Sequence, residues 1–166
     1  PANSGLVTRQ IDGENHHRGL ELSGMTFIKN WSIGSGLTWI DAKRENSVID
    51  PTTNGQRPLN VPEYVLRAMT EYRYSSVPGL RTGLRLSREG ERYVTETGDI
   101  KLPAWTTLDA AAHYDTKVNN VASTWTFAVD NLADKRYWRE SPKQFGHYYL
   151  YPGAPRTLRA TVQFRM

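Results

Sequence analysis

The stretch from Pro155 to Met166 alternates residue by residue. Leu158, Ala160, Val162, Phe164 and Met166 share one parity, and Thr157, Arg159, Thr161, Gln163 and Arg165 share the other. On an extended strand successive side chains point to opposite faces, so the pattern describes a strand whose two faces meet different media. One face is apolar and the other polar and cationic. A soluble sandwich could use such a strand. A strand of about ten residues, apolar outside and polar inside, also fits a membrane-spanning β-barrel.

The same period of two recurs upstream. Leu6 to Ile11 is a short, poorly alternating strand, turned by Gly13-Glu14-Asn15. Gly19 to Ile28 alternates until Gly24 and is then apolar on both faces, which predicts a bulge. Trp31 to Ala42 follows a tight turn at Asn30, with Trp31, Ile33, Leu37 and Trp39 on one parity. Pro62 to Tyr74, Leu80 to Tyr93, Pro103 to Asp115 and Ser123 to Leu132 are the next strands. The residues expected to face lipid are Leu84 and Leu86, then Leu108, Ala110 and Ala112, then Trp125, Phe127 and Val129, and finally Leu158, Ala160, Val162 and Phe164. Reversing the parity would place Arg81, Arg85 and Arg159 in the bilayer, at roughly 2–4 kcal/mol for each near its middle. Arg156 shares the apolar parity and must lie near a rim, where the cost falls to about 0–1 kcal/mol.

The connections alternate too: short at Asn30, Ser75 to Gly79 and Lys117 to Asn120, and longer at Lys43 to Val61, Val94 to Leu102 and Ala133 to Ala154. An up-and-down meander with short turns on one rim and long loops on the other has the organisation of an outer-membrane barrel. A sandwich would mix hairpins with crossovers. Aromatic residues agree: Trp31, Tyr72, Tyr74 and Tyr114 fall near the short-turn rim on the apolar parity, with Trp105 and Tyr93 near the opposite rim, as interfacial girdles would.

Composition narrows the chemistry. The 166 residues suggest one domain, and no apolar run approaches the roughly 18 residues a spanning helix needs. A mean hydropathy of −0.62 is compatible with a barrel, in which only alternate residues meet lipid. There is no cysteine, hence no disulfide and no thiolate metal site. The net charge of +4 comes from scattered basic residues rather than a basic run, which argues against nucleic acid. His16 and His17 are adjacent and point oppositely on a strand, and His113 and His147 are isolated, so no protein-ligated metal is expected. Gly34-Ser35-Gly36 precedes no helix and is no phosphate loop. Glu71, Asp109 and Asp130 lie beside no nucleophile and are better explained as ion-pair partners of Arg67, Arg81 and Arg85. No enzyme is expected.

Several stretches carry a resemblance. Val129-Asp130-Asn131-Leu132-Ala133-Asp134-Lys135-Arg136-Tyr137-Trp138 resembles the NL-x-D-K-x-Y signature of TonB-dependent outer-membrane receptors, and Gly153-Ala154-Pro155-Arg156 resembles their G-x-P-R entry into the last strand. Arg18-Gly19-Leu20-Glu21-Leu22, Pro58-Leu59-Asn60-Val61-Pro62 and Leu102-Pro103-Ala104-Trp105-Thr106-Thr107-Leu108-Asp109 are similar to further recurring stretches, in family order. Trp105 stands where the family commonly has Tyr, and Met166 where it ends in Phe or Trp. The pattern is most similar to the siderophore-receptor branch of the ferrichrome and hydroxamate type. The resemblance implies a 22-stranded barrel plugged by an N-terminal domain. Residues 1–166, at about eight strands, would be its C-terminal portion without the plug. Pro1 to Gln10 has no signal-peptide character, so an earlier N-terminus is expected.

The implied function is TonB-dependent uptake of a ferric siderophore in the bacterial outer membrane. The expected partners are the lipid bilayer, the siderophore, the TonB complex through the missing N-terminal region, and the barrel assembly machinery. No resident cofactor is implied, since the siderophore holds the iron. The expected ligand contacts lie in the last long loop: Arg136, Tyr137, Trp138, Arg139, Phe145, Tyr148, Tyr149 and Tyr151. Aromatic rings pack against siderophore backbones, and the arginines attract an anionic chelate. Two alternatives stay open. A complete small eight-stranded outer-membrane barrel would pair its first strand with its last. A soluble lipocalin-like barrel would turn its apolar parity inward.

Overall fold

A computed structural model describes residues 11–165. Seven long strands form one antiparallel sheet: β1 Glu14–Ile28, β2 Trp31–Glu45, β3 Tyr64–Arg73, β4 Leu80–Glu89, β5 Trp105–Val118, β6 Val121–Asp130 and β7 Thr157–Arg165. Each pairs with its neighbour in sequence, leaving β1 and β7 as the two edges. The sheet is therefore an open meander, and neither a closed small barrel nor a lipocalin-like cup is formed by the described residues. The expected strand Leu6 to Ile11 lies outside them apart from Ile11, which is in no strand.

Three local expectations are corrected. Glu14 and Asn15 are strand rather than turn, because β1 and β2 pair without interruption from Glu14↔Glu45 to Ile28↔Trp31. The same ladder runs through Gly24↔Ser35, so there is no bulge there. The two-sided apolar run arises because Met25 and Phe27 occupy the parity that is polar elsewhere. Finally, β4 stops at Glu89 instead of Tyr93. Gly90 packs against Tyr64, whose carbonyl accepts the Gly90 N–H at 2.8 Å, and Arg92–Tyr93 then forms a separate ribbon with Lys101–Leu102.

The turns sort as expected. Lys29–Asn30, residues 74–79 and Asn119–Asn120 make one rim; residues 46–63, 90–104 and 131–156 make the other. Asn119 and Asn120 adopt φ of 50° and 66°, the left-handed pair that closes a two-residue hairpin with the twist of its strands. This hairpin brings Val118 into β5, leaving only the two asparagines as its loop.

Cross-strand register carries each parity from strand to strand. Leu84, Ala110, Val129 and Leu158 form one row, Thr82, Ala112, Phe127 and Ala160 the next, and Leu80, Tyr114, Trp125 and Val162 the one nearest the short-turn rim. Leu86 pairs with Leu108 on the same face, and Phe164 continues its parity on β7. Among the described residues this apolar face has no second layer. Leu158 is 77% exposed and Phe127 60%, and a hollow of about 1000 Å³ lies over it between Tyr72, Leu84 and Leu158. A single-layer sheet with so much contiguous apolar surface requires an apolar medium to cover it.

Aromatic rings gather on this face at the short-turn rim. Trp31 lies 4.7 Å from Tyr72, and Tyr72 meets Tyr74 edge-on at 4.9 Å. Tyr114 and Trp125 are cross-strand partners. At the long-loop rim the paired rings on the apolar face are Trp39 and Tyr64. Trp105 and Tyr93 do not form that girdle. Register pairs Trp105 with Glu89 on the polar face, where it is buried, and Tyr93 sits in its ribbon 4.8 Å beneath the Lys101 ammonium.

The opposite face is laced with ion pairs. Arg67 bonds Glu89 at 2.6 Å, Arg85 bonds Asp109 at 3.1 Å, and Arg159 grips Asp130 with two N–H groups at 2.6 and 2.8 Å. Arg81 lies 3.7 Å from both Glu71 and Asp115. Each carboxylate named as a conceivable acid or base is thus engaged by an arginine, two of those three pairings (Arg85–Asp109 and Arg81–Glu71) using the arginines expected from the sequence.

Candidate functional site at the long-loop rim

The loop from Asn131 to Arg156 is fastened to the sheet at its base. Asn131 is 3% exposed and takes a left-handed φ of 51°, a conformation that Asn tolerates better than most residues. Its side-chain amide donates to the carbonyls of Lys135 and Ala154, both at 2.9 Å, and its oxygen accepts the Lys135 N–H at 2.9 Å. Its own N–H donates to Asp109 Oδ1 at 2.8 Å, and the Leu132 N–H reaches the Leu108 carbonyl at 2.7 Å. Asp134 then accepts the Arg156 N–H at 3.1 Å and faces its guanidinium at 3.8 Å. One turn of chain therefore joins β5, β6 and the entry to β7.

Above this turn, Tyr137 stacks on Trp105 with ring centroids 4.4 Å apart. A β-carbon at Gly153 would fall inside the Tyr137 ring, so that ring needs glycine behind it. The Gly153 N–H also donates to the Tyr137 carbonyl at 2.8 Å. Burial pushes the Tyr137 phenol above its ordinary pKa, in keeping with a ring held between the wall and the returning chain.

From Trp138 to Pro152 the loop is a hairpin. Trp138–Glu140 pairs with Tyr151–Pro152, and Lys143–Gln144 pairs with His147–Tyr148. Phe145 and Gly146, both at positive φ, form the tip, and Phe145 is 95% exposed. Two ties bind the hairpin to the other long loops. The Asn60 amide both donates to the Ser141 carbonyl (2.9 Å) and accepts the Ser141 N–H (2.7 Å), while the Asn60 N–H reaches the Tyr93 carbonyl at 3.1 Å. Lys143 bonds Glu96 at 2.9 Å, which raises the lysine pKa. Three loops are thereby joined through one asparagine.

The eight residues singled out from the sequence do not converge on a single pocket. Arg136, Tyr137 and Trp138 line a hollow of about 620 Å³ with Pro103, Ala104, Asp134, Lys135 and Pro155. Arg139 is bonded to its neighbour Glu140 at 2.7 Å. Tyr148 lies 5.5 Å from the Lys143 ammonium, Tyr149 and Tyr151 are half-exposed farther along the hairpin, and Phe145 stands alone at its tip. Sequence reasoning missed Asn60 as the clasp, although its Leu59-Asn60-Val61-Pro62 setting was visible. It also missed Trp105 as the surface on which Tyr137 rests.

Residues 1–132 match the family described as "TonB dependent receptor-like, beta-barrel". The chain belongs to that family. It is 33% identical over 152 residues to the ferrichrome receptor FcuA of Yersinia enterocolitica, covering 90% of this chain and 20% of that protein. It is 32% identical to the metal-pseudopaline receptor CntO of Pseudomonas aeruginosa (strain UCBPP-PA14), covering 98% of this chain and 22% of the relative. The crystal structure of BauA, the ferric preacinetobactin receptor of Acinetobacter baumannii, superposes with a TM-score of 0.80 at 27% identity, over 92% of this chain and 22% of that one. The chain thus spans about a fifth of the length of these relatives. Its sheet is part of a TonB-dependent receptor barrel, and its place is the outer membrane.

Proposed function

We propose that this chain is the C-terminal portion of the barrel of an outer-membrane receptor that imports a ferric siderophore under the drive of TonB. The observation that carries the reading is the family match joined to relatives named as receptors for ferrichrome and for metal-pseudopaline. The geometry supports it. An apolar face suits lipid, an ion-paired polar face suits the lumen and its plug, and an aromatic hairpin rises from the long-loop rim.

In this reading no bond of the ligand is made or broken, and the siderophore carries the iron. Trp138, Arg139, Phe145, Tyr148, Tyr149 and Tyr151 supply rings and charge along the hairpin for ligand contact. Tyr137 and Arg136 stand at its base. The TonB complex acts through an N-terminal region beyond this chain, and the barrel assembly machinery inserts the whole.

The test is uptake of iron-55 by cells whose only siderophore receptor is the full protein carrying this chain. Ferrichrome, a ferric catecholate and the iron complex of pseudopaline are offered in turn. The expected result is saturable uptake of one chelate that disappears when TonB is deleted. Uptake of none, or uptake unaffected by loss of TonB, refutes the proposal.

A further inference from the structure

The small hydrophobic core of this chain lies among the long loops rather than in the sheet. Five apolar side chains are buried among the described residues: Ala42, Val94, Leu102, Trp105 and Ala128. Of these only Ala128 belongs to the middle of the wall. Ala42 stands on the part of β2 that continues beyond Trp39, its last residue paired with β3. Val94, Leu102 and Trp105 lie in or beside the 90–104 loop. Arg92 and Ser141 are buried with them, and the Arg92 guanidinium bonds Glu89. Mobile loops bury few apolar residues, so these three loops have the character of a packed body.

The loops are fastened in series. Loop 46–63 is laid on β2 by Arg44, whose N–H donates to the Gln56 carbonyl at 2.8 Å and whose carbonyl accepts the Gly55 N–H at 2.7 Å. Arg57 adds a bond to the Ile40 carbonyl at 2.8 Å. Loop 90–104 rests on Gln56 in turn: Gly98 has a φ of 78°, and a β-carbon there would fall 2.7 Å from the Gln56 amide oxygen. The third loop, the hairpin above Tyr137, has the least support of its own. Its paired segments are two or three residues long, and a two-stranded hairpin of that size is marginal in water.

Two ties hold it upright, and they are unequal. The Lys143–Glu96 pair is partly exposed, and such pairs contribute little. The Asn60 amide instead makes two bonds to the main chain of Ser141, a residue with no exposed surface. Both ties engage the arm of residues 138–144. Tyr148, Tyr149 and Tyr151 are carried by the returning arm and Phe145 by the tip, and all four rings remain exposed. The fastened arm and the ring-bearing arm are thus distinct, joined by their ribbons and by the Tyr149 N–H on the Pro142 carbonyl at 3.1 Å.

We propose that the three loops are a preassembled wall of the ligand vestibule, and that Asn60 is a positioning residue that sets ligand affinity by holding the rings of the hairpin in place before the ligand arrives. Asn60 acts through Ser141 and touches no ligand itself. A standing wall spares the ligand the entropy of ordering it, and apparent affinity falls with the fraction of receptors in which the wall is complete. Loss of two hydrogen bonds of ordinary strength shifts the docking equilibrium of the hairpin by roughly thirtyfold. The inference rests on the siderophore-receptor reading, with the hairpin as the place of contact.

The test is made in the full receptor. Asn60→Gly removes the amide without strain, since Asn60 sits at a φ of 61°. Iron-55 uptake of the accepted chelate, at equal surface amounts of receptor, should need roughly tenfold more chelate for half-saturation, within the thirtyfold ceiling, at an unchanged maximal rate. Asn60→Asp keeps the acceptor for the Ser141 N–H, loses the donor to its carbonyl, and should fall between the two. Hydrogen exchange without chelate reads preassembly at the Tyr149 amide, which does not bond Asn60. That amide should be protected in the unaltered receptor and exchange faster in Asn60→Gly. If it is unprotected until chelate is added, the hairpin is a lid that the ligand closes, and the proposal is overturned. A lowered maximal rate at unchanged half-saturation, or no change in either, also overturns it. Uptake of no chelate by the unaltered receptor refutes the transport reading alone, and the Tyr149 amide still decides whether the wall is preassembled.

Discussion

Asn131→Ala should open the base of the last long loop while leaving the sheet assembled. The side chain makes three hydrogen bonds within the turn, at 2.9 Å each, from a position 3% exposed. At about 1 kcal/mol net for each, their loss costs roughly 3 kcal/mol. Alanine at φ 51° adds about 1 kcal/mol of left-handed strain. The sum, about 4 kcal/mol, raises the population of the open turn by roughly a thousandfold. Asn131→Gly loses the same bonds without the strain and should fall about fivefold short of that. Hydrogen exchange of the full receptor reads the effect at amides that do not bond to the Asn131 side chain. Leu132, Asp134 and Arg156 donate instead to the Leu108 carbonyl, the Asn131 carbonyl and Asp134 Oδ1. All three should exchange faster together. If only the Lys135 amide speeds up while these keep their native rates, the side chain merely caps one N–H and the knot does not exist.

Two further expectations are independent of that turn. Ala110 and Ala111 are neighbours on opposite faces of β5, so Ala110→Arg should destabilise the receptor in lipid vesicles by about 2–4 kcal/mol, whereas Ala111→Arg should cost far less. Urea unfolding measures both, and equal effects would refute the assignment of faces. Asp12 accepts the Ser47 hydroxyl at 2.5 Å and the Val48 N–H at 2.9 Å, and these bonds hold its carboxyl below its ordinary pKa. A depressed folded pKa gives stability that is present above the unfolded value and lost as pH falls through the folded one. Protease sensitivity of residues 46–54 should therefore stay flat down to about pH 4 and rise only below it. Asp12→Asn should abolish that pH dependence, and a rise already at pH 6 would contradict it.

The strands were legible because alternation is a local property. Once Leu84 and Arg85 are known to face oppositely, adjacent strands need only the register that keeps like with like, and their rows do so. Arg156 shows that even depth could be argued: an arginine on the apolar parity had to lie at a rim, and it stands beside Asp134 at the entry to β7. The missed elements share a different character. Trp105 reads as a girdle residue when counted by its place near a rim, but a neighbouring strand fixes its face by pairing it with Glu89. The aromatic residues of the last loop were found as a group, yet their division between base, arm and tip follows from a hairpin whose pairing no alternation announces.

By itself, then, the sequence determined a sheet of antiparallel strands with short turns on one rim, long loops on the other, and one face fit for lipid. Each of these follows from side-chain polarity at a spacing of two residues and from turn residues between the runs. Tertiary structure alone decided that Asn60 clasps Ser141 across 81 residues and that Tyr137 rests between Trp105 and Gly153. Such contacts depend on the register of several strands at once and on where long loops return. Local polarity does not encode either, because the free energy of a long-range contact appears only after the intervening chain is already in place.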